Sequence, residues 1–132
     1  MNTDNITMSY EESIQSSIYG ITIKVENLTV CRTFYRDILR LGAPIMDSNF
    51  WVEFKLKNNV SLLLEEAGQG EKLPSGRGRI SWMCEIKDFD DTVSLLKEKG
   101  HEPISEEEEQ DNKRMIQFCD PEGNPFYLVA DK

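Results

Sequence analysis

The apolar residues of this chain follow one plan and then repeat it. Residues 18–25 alternate Ile21, Ile23 and Val25 with Gly20, Thr22 and Lys24, the two-residue period of a strand with one buried face. Asn27 suits a helix N-cap, and Val30, Phe34, Ile38 and Leu41 then recur at helical spacing until Gly42 and Pro44 end the run. Residues 44–47 read as a short edge strand. Residues 50–57 alternate Val52, Phe54 and Leu56 with Trp51, Glu53 and Lys55, and residues 60–66 form the next strand after an Asn58-Asn59 hairpin turn. Beyond a Gly-, Pro- and Ser-containing stretch at 67–78 the plan restarts. A strand is expected at 79–87, then a helix capped by Asp88 or Asp90 that runs to about Lys99, with Phe89, Val93 and Leu96 on one face. Gly100 and Pro103 end it as Gly42 and Pro44 ended the first. A polar hairpin at 106–112, a strand at 113–119, a dense turn signal at Asp120-Pro121-Glu122-Gly123-Asn124 and a last strand at 126–129 complete the chain.

The two halves match by pattern: Val25-Glu26-Asn27-Leu28 with Ile86-Lys87-Asp88-Phe89, and Leu62-Leu63-Leu64 with Phe126-Tyr127-Leu128. The order strand–helix–strand–strand–strand therefore occurs twice. A half of about fifty residues buries too little surface to stand alone, so the halves must share a core. The expected organisation is an N-terminal extension at 1–17 and one domain at 18–132, with module one at 18–66, a linker at 67–78 and module two at 79–132.

Charge and cysteine content narrow the function. The formal net charge of −9 over 132 residues opposes binding to phosphate backbones and anionic lipid, so neither nucleic acid nor membrane is expected as a partner. No apolar run approaches the ~20 residues of a membrane span, and the polar N-terminus lacks the apolar core of a signal peptide, which points to the cytoplasm. Cys31, Cys84 and Cys119 lie in apolar segments at wide spacings, the pattern of reduced, buried thiols. The sole histidine, His101, is expected in an exposed loop, which leaves no basis for a Ser-His-Asp or Cys-His site. Gly68, Gly70, Gly76 and Gly78 are not followed by the Gly-Lys-Ser/Thr of a phosphate loop.

Three stretches, YGITIKVENLTVCRTFYRDIL, SWMCEIKDFDDTVSLLKEKGHEP and CDPEGNPFYLV, resemble the vicinal oxygen chelate superfamily, which contains glyoxalase I, extradiol dioxygenases and the fosfomycin- and bleomycin-resistance proteins. The likeness covers roughly residues 18–130. It implies an α+β fold of two βαβββ modules, each an incomplete barrel forming a cup with its helix on the outer face. It also implies a homodimer, in which modules sometimes pair across subunits. Arg40 departs from the pattern, since the superfamily commonly has a glycine at that place after the first helix.

The superfamily's metal enzymes hold one divalent ion with His, Glu or Gln on four strands. Carried over, those positions are Gly20, Leu63, Ser81 and Tyr127. Gly20 and Leu63 have nothing to donate, Ser81 is a neutral oxygen, and Tyr127 would have to lose a proton with a reference pKa of about 10. No metal or other cofactor and no catalytic residue is therefore expected. Alternation along the strands instead turns Trp51, Glu53, Leu63, Met83, Glu85, Met115, Gln117 and Tyr127 into the cup. Ser61, Glu65, Ser81 and Cys119 share their phase, and Trp82 is the neighbour a one-residue slip would bring in. Aromatic faces beside carboxylates suit a flat or cationic organic molecule. The expected function is metal-free binding of a small organic ligand, as in bleomycin-resistance proteins. The alternative is a glyoxalase-like lyase or isomerase whose divalent metal is held by non-standard ligands.

Overall fold

The computed structural model describes residues 18–73 and 81–132. The expected extension at 1–17, part of the linker and the first two residues expected in the restart strand lie outside the described residues.

Module one runs β1 (Gly20–Val25), α1 (Leu28–Thr33), a π-helical turn continuing α1 (Phe34–Ile38), β2 (Met46–Asp47), β3 (Trp51–Lys55) and β4 (Ser61–Glu66). Its sheet has the order β1-β4-β3-β2, with β1 parallel to β4 and the other pairs antiparallel. Module two repeats this with β5 (Trp82–Glu85), α2 (Phe89–Glu98), β6 (Glu108–Gln110), β7 (Lys113–Cys119) and β8 (Pro125–Asp131), in the order β5-β8-β7-β6 and with the same parallel and antiparallel pairs. The α+β plan of two βαβββ modules is therefore what the chain builds, as two open mixed sheets. Among the described residues no strand of one sheet pairs with a strand of the other, so β1 and β5 are both edges.

Turn chemistry sets these boundaries. Asn58 and Asn59 take φ of +63° and +61° between β3 and β4, and Asp111 and Asn112 take +49° and +65° between β6 and β7. Left-handed pairs of this kind match the twist of an antiparallel hairpin, and Asn and Asp tolerate them best after Gly. Asn27 caps α1 by accepting a hydrogen bond from Val30 N at 3.1 Å. Asp88 precedes α2 without a side-chain cap, and Gly100, at φ +89°, closes that helix.

One continuous core joins the modules. Val25, Val52, Phe54, Leu62 and Leu64 from sheet one and Trp82, Ile116, Phe118, Phe126 and Leu128 from sheet two pack with residues of both helices. The repeat is visible in the packing: Leu28 and Phe89 open the two helices and are both buried, and Leu62 and Leu64 have buried counterparts in Phe126 and Leu128. Rings of α1 reach both sheets, with Tyr35 6.5 Å from Phe54 and 6.3 Å from Trp82, and Phe34 6.0 Å from Phe126.

The buried stripe of α1 differs from the expected one. Val30 is 46% exposed, while Leu28, Cys31, Phe34, Tyr35 and Leu39 are buried and Ile38 and Leu41 are partly so. Val30 precedes the π-helical turn, and its exposure follows from the phase of α1 itself, which turns Leu28 and Cys31 to the core; the wider turn that follows lets the adjacent Phe34 and Tyr35 both be buried. His101 also differs: it is half-buried, and its ring meets that of Phe34 at 4.9 Å rather than lying free in a loop. None of the three cysteines is in a disulfide among the described residues, but only Cys31 is fully buried; Cys84 and Cys119 are half-buried. Burial pushes the Cys84 thiol up to about 11.

Polar ties fix α1 to the turn before β8. Tyr35 Oη donates to Asp120 Oδ2 at 2.7 Å, and Asp120 also accepts from Asn124 N, Asn124 Nδ2 and Glu122 N. Glu122 in turn accepts from Glu26 N at 2.8 Å and Asn27 N at 2.6 Å, two donors at the entry to α1. At the far end of the helix, Arg40 Nη2 donates to Thr92 Oγ1 of α2 at 2.8 Å.

Candidate functional site

Each sheet turns one set of alternate residues to the core and the other set away from it, and the strand registers place the second set in rows. On sheet one Thr22, Leu63, Glu53 and Met46 form a row across all four strands, because Thr22 pairs with Leu63, Glu53 with Leu63 and Met46 with Glu53. Trp51, Glu65 and Lys24 make the row on one side, and Gly20, Ser61 and Lys55 the row on the other. On sheet two Met83, Tyr127 and Gln117 share a row, Glu85, Val129 and Met115 the next, and Cys119 pairs with Pro125. The side chains expected to share a phase do share one within each sheet.

Glu53 is the best-defined polar group on either face. It is 5% exposed, and its Oε2 accepts from Tyr19 Oη and from Ser61 Oγ, both at 2.6 Å. The hydrogen bond from Ser61 first, and that from Tyr19 second, hold its carboxyl below the ordinary value of 4.5 against the opposing effect of burial. Tyr19 is pushed the other way, above 10.0, chiefly because its hydroxyl proton is committed to that carboxylate. No lysine or arginine forms an ion pair with Glu53 among the described residues; Lys24, on the same face, is paired instead with Glu71 at 3.0 Å.

The face of sheet two is more open. Met83 is 55% exposed, and the Glu85 side chain stands in solvent at the end of β5, 3.4 Å from Lys113 Nζ, which also binds Asp131 at 2.7 Å. Tyr127, Gln117 and Met115 are half-buried. Three clefts lined by described residues lie off both faces: one of about 240 Å³ beside the start of α1, one of about 460 Å³ between α2 and residues 103–107, and one of about 260 Å³ beside Phe89 and Arg114. The residues expected to line the cup are thus divided between two sheets, and on sheet two Met83 and Glu85 are exposed while Met115, Gln117 and Tyr127 are half-buried.

Tyr19 and Met46 are contributors that alternation along single strands does not reveal. Tyr19 precedes β1 and reaches Glu53 across 34 positions of sequence, and Met46 joins the central row only through the β2–β3 register.

The four positions that resemble metal-ligand sites do not fit a divalent ion. A Cβ at Gly20 would meet Ser61 O at 2.5 Å and Leu63 Cδ1 at 2.7 Å, so β1 lies too close to β4 for any side chain there. Leu63 is apolar and buried, and Ser81 offers a single buried hydroxyl with no hydrogen bond among the described residues. No group of three or more His, Cys, Asp or Glu among the described residues is arranged to hold a metal.

No protein-family model matches the sequence, and no curated protein matches it. Solved structures do match the fold. The chain is similar to a glyoxalase/bleomycin resistance protein from Catenulispora acidiphila, with TM-score 0.65 and 18% identity over 89% of this chain and 100% of that one. It is similar to TnmS3, an antibiotic-binding protein from a Streptomyces, with TM-score 0.69 and 19% identity over 89% and 97%. It is also similar to a lactoylglutathione lyase from Agrobacterium tumefaciens, with TM-score 0.66 and 19% identity over 87% and 93%. Two βαβββ modules in this order, matched over nearly the whole of such chains, give this protein the fold of the glyoxalase/bleomycin-resistance proteins.

Proposed function

We propose that this is a small-molecule-binding protein of the bleomycin-resistance kind, which works in the cytoplasm without a metal and sequesters an organic ligand of aromatic or cationic character. The observation that carries the reading is Gly20: the place of the first metal ligand is closed by the β1–β4 contact, while the same face keeps Trp51, Leu63 and a nearly buried carboxylate at Glu53. An antibiotic-binding protein with this fold supports it. Met83, Glu85, Met115, Gln117 and Tyr127 supply a second wall.

That second wall is best supplied by another copy of the chain. Met83 and Glu85 face solvent, and the β1 and β5 edges are unpaired among the described residues, so the reading includes a homodimer. Sedimentation should give twice the mass of one chain.

The test combines two measurements on purified protein. Metal analysis and titration with nickel, zinc and manganese should find no stoichiometric ion. A thermal-shift screen of organic compounds should find a ligand whose affinity falls about tenfold or more in Trp51→Ala, with circular dichroism unchanged. Tight stoichiometric metal would overturn the reading in favour of a glyoxalase-like lyase or isomerase, and a ligand indifferent to Trp51 would remove this face from it.

A further inference from the structure

Glu53 has no ion-pair partner among the described residues, and Lys55 on the same face acts on it only as a weaker, more distant charge. Its row neighbours are Leu63 and Met46, it is 5% exposed, and both of its hydrogen-bond donors, Tyr19 and Ser61, converge on one oxygen. The other oxygen, Oε1, accepts no hydrogen bond from the described residues. A nearly buried carboxylate with no cation in direct contact is costly, and hydroxyl donors offset only part of that cost. Structural carboxylates elsewhere in the chain are arranged differently. Asp120 takes hydrogen bonds from four donor atoms over both oxygens, and Asp90 and Glu107 share Arg114. Glu53 alone among these keeps one oxygen unused on the face that holds Trp51.

We propose that Glu53 is the anchor for a ligand cation, an ammonium or amidinium group that donates to Oε1 while the ligand body lies against Trp51 and Met46. Tyr19 and Ser61 hold the carboxylate in place by saturating Oε2, so the anchor is set before the ligand arrives. Tyr19 is 61% exposed although its hydroxyl is committed to Glu53, which puts its ring at the rim of the site. The inference rests on the reading of this face as a ligand site and adds the charge of the ligand to it.

Benzamidine and benzamide share a ring and differ in charge, so they isolate the cation. In NMR titrations of the full chain at neutral pH, benzamidine should bind about tenfold or more tightly than benzamide. Its shifts should centre on Glu53, Tyr19, Leu63 and the Met46 methyl. Glu53→Gln should abolish the preference and leave the spectrum folded. Should that variant unfold, the side-chain carboxyl resonance of Glu53 in the unaltered protein should shift with benzamidine and not with benzamide, and a carboxyl resonance that benzamidine leaves unmoved would overturn the anchor. Equal binding of the two compounds, or a preference that persists in Glu53→Gln, would overturn the anchor. If neither compound binds but a neutral screening hit shifts Trp51 and Leu63, the cation inference fails and the binding reading stands. If no compound shifts this face, both fail.

Discussion

Tyr19, Glu53 and Ser61 give one cluster two opposite pH limits. Glu53 has a folded pKa below its ordinary 4.5, so the stability it contributes is present above that value and is lost as pH falls through the lower, folded one. Tyr19 has a folded pKa above 10.0, so its contribution is present below that value and is lost as pH rises through the higher, folded one. Ser61 is the largest cause of the Glu53 shift. Ser61→Ala should therefore move the acid limb of a stability-versus-pH curve to higher pH, measured by urea unfolding at a series of pH values; an unmoved limb would detach Glu53 from acid stability. Gly20 makes a second prediction at this scale. Gly20→Ala sets a Cβ against the backbone oxygen of Ser61 and should cost about 1–3 kcal/mol in denaturant unfolding. Gly20→His should cost at least as much, so returning a metal-ligating side chain to this position would disturb the strand instead of restoring a site. Little of this was legible in the sequence. That Glu53 turns away from the core follows from alternation, but its two hydroxyl partners, Ser61 on β4 and Tyr19 just before β1, are brought to it by the pairing of other strands.

Elements show where local rules suffice and where they give way. The β7 range matches expectation because alternation, a polar turn before it and a Pro-Gly turn after it agree with one another. β1, β3, β4 and β5 are each shorter at one or both ends than alternation suggests, since periodicity continues past the last ladder bond. The end of α1 is the instructive case. Arg40 has φ of +62°, the conformation for which a glycine is the usual choice, and it spends its guanidinium on Thr92 of the other helix. Left-handed strain for a side-chain-bearing residue is about 1–2 kcal/mol, and a net hydrogen bond about 0.5–1.5 kcal/mol, so the two nearly cancel. Arg40→Gly should be within about 1 kcal/mol of the parent, whereas Arg40→Ala keeps the strain, loses the bond and should be the less stable variant by about 1 kcal/mol. Thermal unfolding of the pair decides it; equal stabilities would mean that the backbone relaxes at this position.

At the scale of the whole molecule, the repeated plan predicts a shared core, and it exists because neither sheet has enough apolar surface to pack alone. What the repeat does not disclose is that α1 is held by the other module. Tyr35 is wholly buried and donates to Asp120, and desolvation first, then the Asp120 charge, push its phenol well above the ordinary value. Tyr35→Phe leaves Asp120 one donor short and should cost about 1–3 kcal/mol, read as a lower urea midpoint with one cooperative transition. Two separate transitions would mean that the modules do not fold as one unit.

The Glu122 clasp also sets a schedule. Its carboxylate satisfies the backbone donors of Glu26 and Asn27, and 96 positions separate the first of these from it. A ribosome adding about 5–20 residues each second needs about 5–20 s to cross that gap. For that time the nascent first module exists without the group that closes its helix entry. The second module must therefore be synthesised as far as residue 122 before the entry to the first helix can close.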